Sequence, residues 1–103
     1  MAKSVLVALS RPVEGRDAEY NRWYDEVHLP EVCDIPGITG GRRYDRSPLS
    51  MGEGSPYMAI YDIEADDPAT VLKELVSRVT GGKMTMSDAI DRASTVMWIY
   101  TER

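Results

Sequence analysis

The amino-acid sequence predicts an α+β fold in which four strands and two helices follow the order β-α-β-β-α-β. Short runs rich in β-branched and aromatic residues occur at both ends of the chain and near its middle, as strands require. Two amphipathic stretches separate these runs, and glycines and prolines cluster where turns are expected. With 103 residues, of which 43% are hydrophobic, the chain has the size and composition of a single globular domain, residues 1–103.

The predicted strands are short and apolar. They are Ser4 to Ser10, Gly40 to Arg46, Tyr57 to Ile63 and Thr95 to Thr101. Ser47 to Pro56 contains two prolines and two glycines, which predicts a loop between the second and third strands. Lys83 to Ile90 is either a loop or a short helical turn.

Both predicted helices begin at an aspartate that can serve as an N-cap. The first runs from Asp17 to about His28, where Pro30 is predicted to end it, because a residue before proline is disfavoured in the helical region. The second follows Asp67 and the proline at its first position, and two glycines supply its stop. Its apolar stripe, expected to face the core, consists of Leu72, Leu75, Val76 and Val79.

This order is the ferredoxin-like arrangement, a four-stranded antiparallel sheet with both helices on one face. The uncovered face would normally carry polar residues. Three strands are instead apolar on both faces: Val5, Val7 and Leu9 oppose Leu6 and Ala8, and the third and fourth strands show the same pattern. We therefore predict a homodimer that packs sheet on sheet. The alternative is that these residues are the scattered surface hydrophobics normal in proteins.

Charge, hydropathy and cysteine content exclude several classes of protein. A formal net charge of -5 argues against nucleic-acid binding, and no apolar run is long enough for a membrane span. The segment after Lys3 does not resemble a secretory signal, and the lone Cys33 fits a reducing cytoplasm. With one histidine and one cysteine and no glycine-rich phosphate loop, neither a metal site nor a cofactor is predicted.

The first helix carries two adjacent stripes of different character. Tyr20, Trp23 and Val27 form a stripe suited to packing on the sheet. The other stripe is polar and consists of Asn21, Tyr24, Asp25 and His28. Asp25 is expected to pair with His28 and to favour the protonated imidazole, which would prepare it to move a proton near neutral pH. The alternative is that His28 only caps the helix and that Tyr24 is a half-buried core residue.

These residues resemble a known family, the EthD-like group of dimeric α/β-barrel proteins. The motif that carries the resemblance is Asn21-x-Trp23-Tyr24-x-x-x-His28-x-Pro30, followed by Ile35-Pro36-Gly37 and Arg42-Arg43-Tyr44. The resemblance implies a pocket between the sheet and the helices with His28 and Tyr24 at its edge. Members include cofactor-free cyclases, dehydratases, decarboxylases and monooxygenases acting on aromatic or polyketide-like compounds, and some distant relatives bind or degrade haem.

The leading functional hypothesis is a small cofactor-independent lyase or isomerase. His28 would act as general acid or base, and Tyr24 and Asn21 would steady a developing oxyanion. The remaining expected substrate contacts are Trp23, Asp25, Arg43 and Tyr61. Arg42 and Arg43 point to opposite faces of a strand, so only one of them can face the pocket, and a surface ion pair is the alternative. A second hypothesis is a binding protein without chemistry, and a third is haem binding with His28 as axial ligand.

Overall fold

The computed structural model describes residues 3–103 and confirms the predicted fold class. Four antiparallel strands form one sheet in the order β2-β3-β1-β4. Its elements in chain order are β1 (Ser4–Pro12), α1 (Asp17–Trp23), a π-helical turn (Tyr24–His28), α2 (Leu29–Cys33), β2 (Ile38–Asp45), β3 (Tyr57–Ile63), α3 (Pro68–Thr80) and β4 (Ile90–Thr101). The segment between α3 and β4 is a loop.

The prediction that Pro30 ends the first helix is wrong, because the chain remains helical to Cys33. Leu29 keeps helical dihedral angles, and its N–H donates to the carbonyl of Tyr24, five residues earlier. Proline has no N–H to offer the carbonyl of Glu26, and its ring crowds that carbonyl in a regular helix. The wider π-helical turn directly before Pro30 accommodates the ring, and such turns occur frequently at functional sites.

Helix α3 has the predicted boundaries but a rotated apolar face. The carboxylate of Asp67 accepts a hydrogen bond from the N–H of Ala69 at 3.0 Å, which confirms the N-cap. Val71 and Leu75 are the buried residues, whereas Val76 is 45% exposed. The apolar row that contacts the sheet therefore begins at Val71 and not at Leu72. Two apolar rows run along this helix, and the elements packed against it determine which one is buried.

Both faces of the sheet carry apolar side chains, and the helices cover one of them. Leu6, Ala59, Tyr61 and Ile63 are buried against the helices. On the other face, Val7 lies between its cross-strand neighbours Ile60 and Trp98. Trp98 is 48% exposed and Tyr100 is 56% exposed, and no helix within residues 3–103 packs on them. No helix in that range is long and apolar enough to cross a membrane.

Gly41 in β2 lies where α2 packs against the sheet. A methyl group at this position would lie 2.8 Å from Cys33 Sγ and 2.9 Å from Tyr61 Cδ1. We expect Gly41→Ala to lower the free energy of unfolding by about 1–3 kcal/mol through overpacking, measured by urea denaturation. Gly40→Ala is the matched control, because its nearest atom, an Asp62 carboxylate oxygen, is 3.4 Å away. Equal stabilities of the two variants would contradict this expectation.

Candidate functional site

A cavity of about 230 Å³ lies between α3 and the helix-facing side of β1 and β4. Most of its wall is apolar and includes Leu75, Val79, Met86 and Met97. Its polar residues are Ser10, Tyr24, His28, Thr80, Arg92 and Thr95. An apolar cavity with a few convergent polar groups is the usual form of a small-molecule site.

A larger groove of about 490 Å³ lies at the other end of the sheet, around Lys3, Asp62 and Glu102. Its charged residues are exposed or half-buried, and it contains neither histidine nor cysteine. Among residues 3–103, no group of three or more His, Cys, Asp or Glu side chains is arranged to hold a metal ion. The cavity with Tyr24 and His28 is therefore the stronger candidate site.

His28 is held in the cavity wall by aromatic contacts. Its ring stacks on Trp23 with centroids 4.6 Å apart and meets the edge of Tyr24 at 4.9 Å. Its Nδ1 atom is buried and has no hydrogen-bond partner within the described chain. Burial lowers the pKa of His28 to about 4, against a smaller opposing effect of Glu31 and with a further lowering by Arg43. The imidazole is therefore neutral at neutral pH.

The expected pair between Asp25 and His28 does not form. The Asp25 carboxylate is 62% exposed and lies 2.8 Å from Nη1 of Arg43. The π-helical turn changes the angular spacing of its residues, so positions three apart no longer share one line along the helix. The electrostatic consequence is the reverse of the prediction, because the pKa of His28 is lowered rather than raised.

Tyr24 lies between His28 and Arg43. The phenol is buried, and burial raises its pKa to about 12, so it remains a protonated hydrogen-bond donor at neutral pH. The guanidinium carbon of Arg43 lies 4.4 Å from the centre of the Tyr24 ring, within the range of a cation–π contact. Burial also raises the pKa of Tyr61, and the neighbouring Tyr24 phenol adds to this effect.

Arg43, and not Arg42, faces the helices. Its Nη2 donates to Asn21 Oδ1 at 2.8 Å, and only 12% of its side chain is exposed. Arg42 lies on the opposite face and forms an ion pair with Asp62 at 2.8 Å. The alternative left open by the sequence is thus decided by the register of β2 against β3.

Trp23 and Glu31 form hydrogen bonds with the loop that precedes β4. The Trp23 indole donates to the carbonyl of Thr85 at 2.8 Å, and the Glu31 carboxylate accepts from the Thr85 N–H at 3.0 Å. Met84 of this loop is buried in the core, whereas Met86 lines the cavity. The loop therefore forms one side of the cavity and is held there by contacts with α1 and α2.

The predicted site residues separate into three groups. Tyr24 and His28 line the cavity. Asn21 and Asp25 hold Arg43 behind the Tyr24 ring, and Trp23 supports the His28 ring. Tyr61 is buried in the core without reaching the cavity wall.

Sequence reasoning missed the cavity residues of α3 and β4. The most informative of these is Arg92, which lies in a segment that the strand prediction excluded. The only sequence signal was the loss of apolar alternation between Ile90 and Val96. That signal also fits an ordinary loop, so it did not indicate a bulge beside a cavity.

Comparison with solved structures shows that the fold is ferredoxin-like. An EthD family protein from Bacillus halodurans C-125 superposes with a TM-score of 0.62 at 19% identity, and the match covers 100% of both chains. A dimeric ferredoxin-like protein of unknown function from Jannaschia sp. CCS1 gives a TM-score of 0.64 at 10% identity, covering 95% of this chain and 97% of that one.

A candidate monooxygenase from Shewanella loihica PV-4 is also similar, with a TM-score of 0.61 at 14% identity over 97% of this chain and 94% of that one. The sequence matches no family model and no curated protein. At these identities the similarity establishes the fold, and the function has to be argued from the cavity itself.

Proposed function

We propose that the protein is a small cofactor-independent enzyme of the lyase or isomerase type, acting on an aromatic or polyketide-like molecule in the cavity. The observation that carries this proposal is the imidazole of His28, which lines an apolar cavity and has a neutral form at neutral pH. Its Nδ1 atom is buried and closed to a molecule in the cavity, so a substrate group would hydrogen-bond to the other ring nitrogen.

In this proposal His28 is the catalytic base and Tyr24 is the hydrogen-bond donor. The neutral imidazole takes a proton from a substrate carbon next to a carbonyl, and the electron pair of the broken C–H bond moves to the carbonyl oxygen. The protonated Tyr24 phenol donates to that oxygen as its negative charge develops. The imidazolium then returns the proton to another carbon in an isomerisation, or to a departing hydroxyl group in an elimination.

Burial disfavours the imidazolium, so the enolate has to stabilise it. The two opposite charges form and disappear together, which limits the cost of charge in an apolar cavity. In this account Asn21 and Asp25 are positioning residues, because they hold the Arg43 guanidinium against the Tyr24 ring.

The test is a screen for binding and for product formation with aromatic acids, phenols, polyketide-like compounds and haem. Wild type is compared with His28→Gln and with Arg22→Gln, an exposed control on α1. We expect wild type and the control to convert at least one of these compounds at similar rates. His28→Gln should convert the same compound at least about 100-fold more slowly, which is the usual size of a general-base effect. Equal turnover by wild type and His28→Gln would overturn the role given to His28.

A binding protein without chemistry is the second candidate, and one observation favours it. A base with a pKa of about 4 is poorly matched to proton transfer at neutral pH. In this case Tyr24 and His28 would only hydrogen-bond an aromatic metabolite, and the screen would give binding without product. Haem with His28 as axial ligand is the remaining form of this candidate, and the absence of a Soret shift on adding haem would remove it.

We also propose that the protein is a homodimer formed through the uncovered face of the sheet. The half-exposed rings of Trp98 and Tyr100 contact each other there, with centroids 6.3 Å apart, and extend the apolar row of β1. A contiguous apolar face of this kind usually marks an interface. Two of the similar solved structures are described as dimeric, which supports the same assembly here.

A further inference from the structure

Strand β4 contains a four-residue bulge directly beside the cavity. Between the pairs Leu9–Val96 and Arg11–Asp91, β1 has the single residue Ser10, whereas β4 has the four residues 92–95. Residues that leave the ladder at a bulge can aim their side chains in new directions, and bulges are enriched next to active sites. Two residues of this bulge, Arg92 and Thr95, line the cavity together with Ser10.

The bulge is held by its own hydrogen bonds, and these leave the Arg92 side chain available. Ser94 Oγ accepts from the N–H of Arg11 at 2.9 Å and donates to the carbonyl of Asp91 at 2.6 Å. The Asp91 carboxylate accepts from the N–H of Ala93 at 3.2 Å. Within residues 3–103, Arg92 takes part in none of the ion pairs.

The cavity therefore has two different polar ends. Arg92, Thr80 and Thr95 are exposed and mark its mouth, whereas Tyr24 is buried and marks its inner end beside His28. The wall between the two ends is apolar and includes Leu75, Val79 and Met97. The mouth thus presents an unpaired cation in a chain whose formal net charge is -5.

We propose that Arg92 binds the acidic group of the ligand, so that the cavity selects an apolar molecule with a carboxylate at the mouth and its uncharged part toward His28. A guanidinium offers parallel N–H donors that match a carboxylate, and it remains charged at any physiological pH. Because the protein as a whole repels anions, this local cation decides whether an acidic ligand enters. The inference rests on the proposal that the cavity is the ligand site.

The experiment compares two probes that share an aromatic ring and a three-carbon chain but differ in charge. Hydrocinnamate carries a carboxylate, and hydrocinnamyl alcohol carries a hydroxyl group in its place. Their affinities are measured by isothermal titration calorimetry on wild type, Arg92→Gln, Arg92→Lys and Arg22→Gln. The last variant makes the same change of charge at an exposed residue of α1 away from the cavity.

We expect wild type to bind hydrocinnamate more tightly than the alcohol. Arg92→Gln should weaken hydrocinnamate binding about tenfold, the size of one charge-assisted interaction near the surface, and change alcohol binding less than twofold. Arg92→Lys should retain part of the preference for hydrocinnamate over the alcohol, and Arg22→Gln should retain the full preference. Added salt should weaken binding of the acid only.

Three other outcomes would overturn the inference, and they separate it from the proposed function. Equal affinities of both probes, unchanged in Arg92→Gln, would remove the role of Arg92 and leave the cavity as the ligand site. A failure of both probes to bind wild type would overturn the aromatic-ligand cavity as well. A change of oligomeric state in Arg92→Gln, with equal weakening of both probes, would make Arg92 an interface residue.

Discussion

Lowering the pH from 7 to 4 is expected to reduce the free energy of unfolding by about 3 kcal/mol through His28 alone. In the native state burial lowers the pKa of His28 to about 4, whereas in the unfolded chain it is near 6.5. Between these values the unfolded state binds the proton and the native state does not, so stability rises with pH across this window. Of the groups facing His28, the Glu31 carboxylate opposes the effect of burial and the Arg43 guanidinium adds to it, each to a smaller extent than burial itself.

The measurement is simple because His28 is the only histidine in the sequence. Its imidazole proton signals in an NMR titration give the native pKa without further assignment. Urea denaturation at a fixed protein concentration, between pH 7 and 4, is compared for wild type and His28→Gln, so that the contribution of carboxylates cancels. A native pKa above 6.5, with greater stability at low pH, would instead indicate the Asp25–His28 pair that the sequence suggested.

Replacing Trp98 with lysine is expected to convert the proposed dimer into a monomer. Two symmetric copies would each lose a half-exposed aromatic ring of the uncovered face and gain a charge that has to be buried. We expect the dissociation constant to rise about 100-fold or more. Analytical ultracentrifugation over a range of concentrations measures this change.

Leu49→Lys is the matched control for Trp98→Lys. Leu49 is almost fully exposed in the loop between β2 and β3, so its replacement also introduces a lysine at an exposed apolar position. The control should leave the dissociation constant unchanged. If Trp98→Lys and wild type have the same dissociation constant, the sheet face is not the interface.

The sequence by itself determined the elements whose signals are local. The cap at Asp67 is determined by the first turn of its own helix, and β3 is determined by one continuous apolar run. The structure has both elements where they were predicted. The placement of Tyr24 and His28 on one side of the first helix also followed from helical spacing. Both of these residues line the cavity.

Only the tertiary structure decided the features that depend on contacts between distant segments. The helix continues through Pro30 because a π-helical turn can form there and α2 can then pack on β2 near Gly41. Asp25 contacts Arg43 rather than His28 because the β2–β3 register places that arginine under the helix.

The same reason applies to the electrostatics and to the mouth of the cavity. The pKa of His28 depends on how deeply Trp23 and Tyr24 bury its ring, and burial is a property of the whole packed core. Arg92 reaches the cavity because four residues of β4 face one residue of β1. Pairing between strands about 80 residues apart cannot be read from local periodicity, which reports only how a segment would bury its own apolar face.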